Sequence, residues 1–122
     1  MSAELTYRFG DLPAEHLQKV HDGLALLGLW RWMPGPEWCF DGCTFCPERC
    51  PITGALLTGP CGVHDWLYTA KVSPLPNTPA GRAIADAILY HLLLAAGAAE
   101  ITAAGIHTAV RLGAEFHYQV AA

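Results

Sequence analysis

A chain of 122 residues has room for one domain with a real core, and not comfortably for two. It is 52% hydrophobic and 15% charged, with a formal net charge of −4. That balance fits a folded globular chain and excludes both a disordered segment and a basic surface that tracks phosphates, so nucleic acid is not an expected partner.

Residues 1–8, MSAELTYR, show no basic leader followed by an apolar stretch, so no secretory signal is expected. Residues 5–9 alternate enough for a short strand or extended arm. Asp11, Pro13 and Glu15 read as the start of a helix that runs to about Leu27 and stops at Gly28. Its apolar positions Leu12, Leu17, Val20, Leu24 and Leu27 recur at three- and four-residue steps and predict a buried face. His16, Lys19 and Asp22 then fall on the wet side, and His16 and His21 are expected to face solvent.

Between Leu29 and Pro60 periodicity disappears. Pro34, Pro36, Pro47, Pro51 and Pro60, several glycines and four of the five cysteines make a long irregular loop, and loops of that length inside one domain are usually functional. Regularity returns at Cys61 and predicts a helix to Val72, ended by Ser73-Pro74. A stiff connector over 74–79 follows. Thr78 caps the next helix with Pro79 at its first position, and this helix passes through Asp86, Tyr90 and Leu94 to Gly97. The aliphatic run 87–99 contains His91 and falls short of the roughly 20 residues a membrane span needs, so it reads as a buried helix. A third amphipathic segment over 102–118 places Ile106, Val110 and Leu112 inside. The expected architecture is a single, mainly α domain of three to four helices over 1–122: an arm and helix at 1–28, a cysteine-, proline- and glycine-rich loop at 29–60, and a helical core at 61–118.

The chemistry concentrates on the helix that starts at Cys61. His64 and Asp65 are adjacent, so their side chains diverge by about 100° and do two different jobs. Tyr68 lies four residues past His64 and three past Asp65, on the same side of the helix. A histidine that abstracts a proton needs a partner on its other ring nitrogen. Asp86 is the acid available on the following helix; among Ala83, Ala87, Leu89 and Tyr90 its carboxylate needs a partner in turn, and antiparallel packing of the two helices would supply His64. Asp65 is then free for a hard divalent cation, completed by oxygens from the 39–43 stretch. The plain alternative stands beside this one: His-Asp is a common dipeptide, and Asp86 could be an exposed acid beside Arg82.

In combination, Asp41-Gly42-Cys43-Thr44, then Cys61-Gly62-Val63-His64-Asp65-Trp66-Leu67-Tyr68, then Ala85-Asp86, resemble the secreted phospholipase A2 superfamily, above all its small bacterial and fungal branch. The chain is also similar to a family of phage-encoded proteins with an Asp-Gly loop, a His-Asp-Trp-Leu-Tyr helix, an aspartate on the next helix and an Ala-Val-Arg-Leu-Gly ending, here residues 109–113. The first resemblance implies a phospholipase A2-like fold and a mechanism. His64 is the general base on a water, Asp86 orients it, and Tyr68 hydrogen-bonds the carboxylate. Ca²⁺ is held by Asp65 and by backbone oxygens near Asp41 and Gly42, and the reaction is ester hydrolysis at the sn-2 position of a phospholipid. The resemblance also implies a Cys43–Cys61 disulfide, which would place the protein in an oxidising space such as a virion exterior or periplasm. The second resemblance implies a different role, a non-catalytic virion component that binds neighbouring subunits.

The remaining cysteines leave three readings: one more bridge in the loop, reduced thiols, or Cys39, Cys43, Cys46 and Cys50 as four thiolates around Zn²⁺ or an iron–sulfur cluster, with a C-x3-C-x2-C-x3-C spacing that matches no common ribbon. Trp30, Trp32, Met33, Trp38 and Phe40 crowd the stretch before the Asp41 loop. They suit a phospholipid membrane surface, a protein neighbour, or a cover for the core.

Overall fold

The computed structural model describes residues 6–41 and 47–121, the last eight as backbone only. The chain is mainly helical. Helices α1 (Ala14–Leu26), α2 (Thr58–Leu67), α3 (Pro79–Ala95) and α4 (Glu100–Ala121) carry the structure, and two short strands, β1 (Tyr7–Arg8) and β2 (Cys39–Phe40), pair antiparallel with Tyr7 opposite Phe40 and Arg8 opposite Cys39. The pairing continues irregularly through Phe9 N–H to the Trp38 carbonyl and Gly10 N–H to the Pro36 carbonyl, so the N-terminal arm holds the stretch that leads into Asp41.

α3 is the central element because it is apolar on two sides. Ala85, Ile88 and Leu92 meet Val20 and Leu24 of α1, Val63 and Leu67 of α2, and Phe9 and Phe40. Leu89 and Leu93 meet Leu57 and the Ala103, Ile106 and Val110 stripe of α4. Its start follows from chemistry local to the sequence: the Thr78 hydroxyl accepts the Gly81 N–H at 3.0 Å, with Pro79 where no N–H is required. Its end falls before Gly97, whose φ of 105° suits glycine and turns the chain into α4. No helix among the described residues is long and apolar enough to cross a membrane.

Several expectations are corrected. α1 begins at Ala14, with Asp11 in a preceding 3-10 turn where it binds Arg8 at 3.0 Å. His16 is not on the wet side but 5% exposed, with Nε2 accepting the Gly59 N–H at 2.8 Å; His21 is exposed as expected. The cause is close approach: a Cβ on Gly59 would sit 2.7 Å from both His16 Nε2 and Val20 Cγ2, so glycine lets the start of α2 settle onto α1. One of the N–H groups that a helix start leaves without an intrahelical partner is thereby met by an imidazole. Leu27 is exposed, past the end of α1.

α2 starts three residues before Cys61 and ends at Leu67, well short of Val72. Its last turn tightens as the Thr69 hydroxyl takes the Asp65 carbonyl at 2.8 Å and the Thr69 N–H goes to Trp66 instead. On α4, Ile106 and Val110 are buried as expected, but Leu112 is 80% exposed. Two residues past Val110, it lies about 200° around the helix from that stripe. Of the aromatic crowd, Phe40 is buried, Trp32, Met33 and Trp38 pack partly buried against the core, and Trp30 stands 51% exposed beneath the Arg31 guanidinium.

Burial, with the nearby positive charges of Lys19 and Arg49, lowers the His16 pKa from 6.5 to about 4. The unfolded chain therefore takes up a proton that the folded chain refuses, and stability falls as the pH drops from about 6.5 towards 4, by ~3 kcal/mol at full extent. His16→Gln, which keeps an acceptor for Gly59, is expected to flatten this slope in urea unfolding across that window. A slope unchanged by the substitution would assign the pH dependence to other groups.

Candidate functional site

The packing of α2 and α4 on α3 gathers three side chains around one carboxylate. Asp86 has 0% exposure. Its Oδ1 lies 2.6 Å from His64 Nε2 and accepts the Tyr68 hydroxyl at 2.6 Å, while its Oδ2 accepts Arg111 Nη1 at 2.6 Å. The His64 and Tyr68 rings lie side by side, 4.4 Å between centroids, as the four-residue spacing on α2 dictates. The alternative of Asp86 as an exposed acid is excluded by its burial; Arg82 is itself buried and donates to Asn77 Oδ1 at 3.3 Å.

Charge follows from this geometry. Burial pushes the Asp86 carboxyl up, but the hydrogen bonds from His64 and Tyr68, the His64 charge and the Arg111 hydrogen bond together hold it below its ordinary value of 3.8. It is therefore a carboxylate, able only to accept, so the proton between the two groups belongs to His64 Nε2 and the Nδ1 lone pair is left open. His64 itself is 15% exposed at its side chain. The Tyr68 hydroxyl is pushed far up by burial and by its bond to Asp86, so it stays a donor.

Asp65 points elsewhere on the helix, as adjacency predicts. It is half-buried, and its carboxyl is raised chiefly by burial, with the charge of exposed Asp41 adding and that of His64 opposing. The two acids are thus near enough to repel one another. The Trp38 indole N–H donates to the Gly62 carbonyl at 3.0 Å and ties the strand leading to Asp41 onto α2. Gly42, Cys43 and Cys46 lie outside the described residues. Among the described residues, no group of three or more His, Cys, Asp or Glu side chains is placed to hold a metal ion.

Cys61 is in a disulfide, and the other described cysteines, exposed Cys39 and buried Cys50, are free thiols; the expected partner Cys43 lies outside the described residues. A further bridge through either of them is not formed. Cys50 Sγ lies 3.4 Å from Thr102 Oγ1 and 3.5 Å from the Ala99 N–H at the start of α4. Bonds from Thr102 and Thr53 bring its pKa from 9.0 down to about 6 against the effect of burial.

His64, Tyr68 and Asp86 are brought together as the sequence predicts, and Asp65 is brought near Asp41. Arg111 was not foreseen as a site residue, although it lies in the 109–113 ending. Comparison of the chain with protein-family models, characterised proteins and solved structures finds no match.

Asp86→Ala leaves three donors, buried Tyr68, half-buried His64 and exposed Arg111, facing an empty place, and is expected to lower the unfolding free energy by about 3–5 kcal/mol at neutral pH. Because the Asp86 pKa is depressed on folding, its contribution is present above 3.8 and lost as the pH falls through the lower folded value; the raised Asp65 works in the opposite sense. Denaturant unfolding of native and Asp86→Asn protein between pH 5 and strong acid checks this, with the native acid slope expected to flatten in the variant.

Proposed function

We propose that the chain is a calcium-dependent phospholipid ester hydrolase of the phospholipase A2 type. The observation that carries this reading is the His64–Asp86 hydrogen bond at 2.6 Å, which turns Nε2 to the carboxylate and leaves Nδ1 as the other ring nitrogen of a side chain that is 15% exposed. In this mechanism Nδ1 of His64 takes a proton from a water as that water attacks the ester carbonyl. Asp86 holds the ring and stabilises the imidazolium that forms, and Tyr68 keeps the carboxylate in place. No side chain becomes acylated. The proton then passes from His64 to the departing alkoxide.

The residues that would hold Ca²⁺ are Asp65, by its carboxylate, and Asp41 and Gly42, by backbone oxygens. A half-buried carboxylate whose proton affinity is raised by burial, with the charge of Asp41 adding, is a donor that a hard divalent cation would relieve, and the rest of its six to eight oxygens would come from backbone and water. When bound, the ion would take the substrate phosphate and polarise the ester carbonyl. Trp30, exposed beneath Arg31, is the side chain of the aromatic stretch best placed to meet a lipid surface. The phospholipase A2-like fold and the cysteine-rich character of the 29–60 loop belong to the same reading. The thiolate site for zinc or an iron–sulfur cluster is weaker support for any function, since the Cys50 thiol is engaged by Thr102 and Ala99.

One observation favours a second reading. Asp86 is bonded from α2 and α4 at once, which is also how a structural ion-pair network ties a small domain together. A non-catalytic virion component that uses its aromatic loop against neighbouring subunits would need no more.

The deciding experiment is phospholipid hydrolysis by the pure protein, with its disulfide intact, in Ca²⁺, in chelator and with His64→Ala. Activity in Ca²⁺ that chelator abolishes and that His64→Ala lowers by about 10²–10⁴-fold is the expected result. Equal background in all three transfers the assignment to the virion component.

A further inference from the structure

We propose that Arg111 is a positioning residue of the His64–Asp86 pair: its guanidinium holds the Asp86 carboxylate with Oδ1 towards His64 and Tyr68, which fixes the His64 proton on Nε2 and keeps Nδ1 available. The catalytic consequence rests on the hydrolase reading; the state of the imidazole does not.

A carboxylate turns easily about its Cβ–Cγ bond, because that torsion has a broad minimum and the two oxygens are equivalent. Here they are made different. Oδ1 takes two donors from α2, and Oδ2 takes Arg111 from α4 at 2.6 Å, so the carboxylate plane is set by helices on both sides of α3. Arg111 follows Val110 directly, and Val110, Ile106 and Ala103 are the residues that seat α4 on α3, so its backbone is fixed where the guanidinium must start.

The charge matters as much as the bond. Arg111 is permanently cationic, and with the His64 and Tyr68 hydrogen bonds it helps to keep a fully buried acid ionised. A neutral Asp86 would carry an O–H that could donate to Nε2. The proton of the neutral imidazole would then sit on Nδ1, where it removes the lone pair that a water needs. A freely turning carboxylate would likewise loosen the preference between the two tautomers. Arg111 makes no bond to His64; it acts on it through Asp86.

The test compares uniformly ¹⁵N-labelled full-length native protein with Arg111→Met and Arg111→Lys. Long-range proton–nitrogen spectra in alkaline buffer report the tautomer of each neutral histidine, and a His64→Gln spectrum assigns His64. Hydrolysis of phospholipid in mixed micelles with Ca²⁺ is measured on the same samples. The native protein is expected to show His64 as the Nε2–H form alone and Arg111→Met a mixture of both forms, with kcat lower by roughly 10- to 100-fold at unchanged KM. Arg111→Lys, which keeps the charge without the planar fork, falls between the two.

A pure Nε2–H form retained in folded Arg111→Met overturns the proposal, as does a rise in KM at unchanged kcat, which would make Arg111 a substrate contact. Where Arg111→Met does not fold, Arg111→Lys decides by the same signature. A native protein that hydrolyses nothing overturns the hydrolase reading alone, and the tautomer comparison still decides the role of Arg111.

Discussion

A carboxylate withdrawn completely from water has to be matched donor by donor, and Asp86 is matched by His64 and Tyr68 from α2 and by Arg111 from α4. An unpaired charge in that position costs several kcal/mol, so the three helices that meet there are not free to choose their relative placement. α3 carries Asp86 on the same side as Leu89 and Leu93, three and seven residues further on, so the acid sits at one end of an otherwise apolar stripe. Apolar packing brings the helices together, and the carboxylate selects the arrangement in which its partners arrive.

The opposite end of α2 is braced by a different device. Its first turn is rich in small and N–H-poor residues, Gly59 and Pro60, and the buried Gly59 N–H donates to His16 from α1. α2 is therefore held at its start by a neutral imidazole and near its end by an ionised carboxylate. The helix is only ten residues long, and a segment of that length has little helical stability alone. Both fixings lie between it and neighbouring helices. The consequence for His64, five residues past Gly59, is a backbone position set from both sides.

What was legible in the sequence, and what was not, divides along the range of the interactions. Thr78 and Pro79 announced the start of α3, and the i, i+3 and i, i+4 relations among His64, Asp65 and Tyr68 placed them correctly, because each of these depends on neighbours within a turn. Asp86 was legible for a related reason: an acid set in an aliphatic helix asks for a partner, and His64 was at hand. His16 was misplaced because its burial is decided by a glycine 43 residues later, and its own helix periodicity carries no trace of that approach. The early end of α2 depends on a hydroxyl that competes for a helical carbonyl, a local contest whose outcome propensity does not decide. Arg111 was missed because His64 had already been matched to the acid. A fully buried carboxylate with two bonds on one oxygen still has a second oxygen to satisfy, and that count was the signal available.

The two acids of the proposed site then differ in a way that separates their tasks. Asp86 is held ionised by three donors, two on Oδ1 and one on Oδ2, which already claim most of its acceptor positions. Asp65, one residue past His64 and about 100° around the helix, is raised by burial and by the charge of Asp41. Among the described residues no arginine or lysine pairs with it as Arg111 pairs with Asp86. Two carboxylates in contrasting environments around one histidine are how a small site assigns orientation to one acid and leaves the other for a ligand. On the hydrolase reading that ligand is the divalent cation. The division follows from placement alone: α3 buries one acid among donors from two helices, and α2 sets the other towards the loop that carries Asp41.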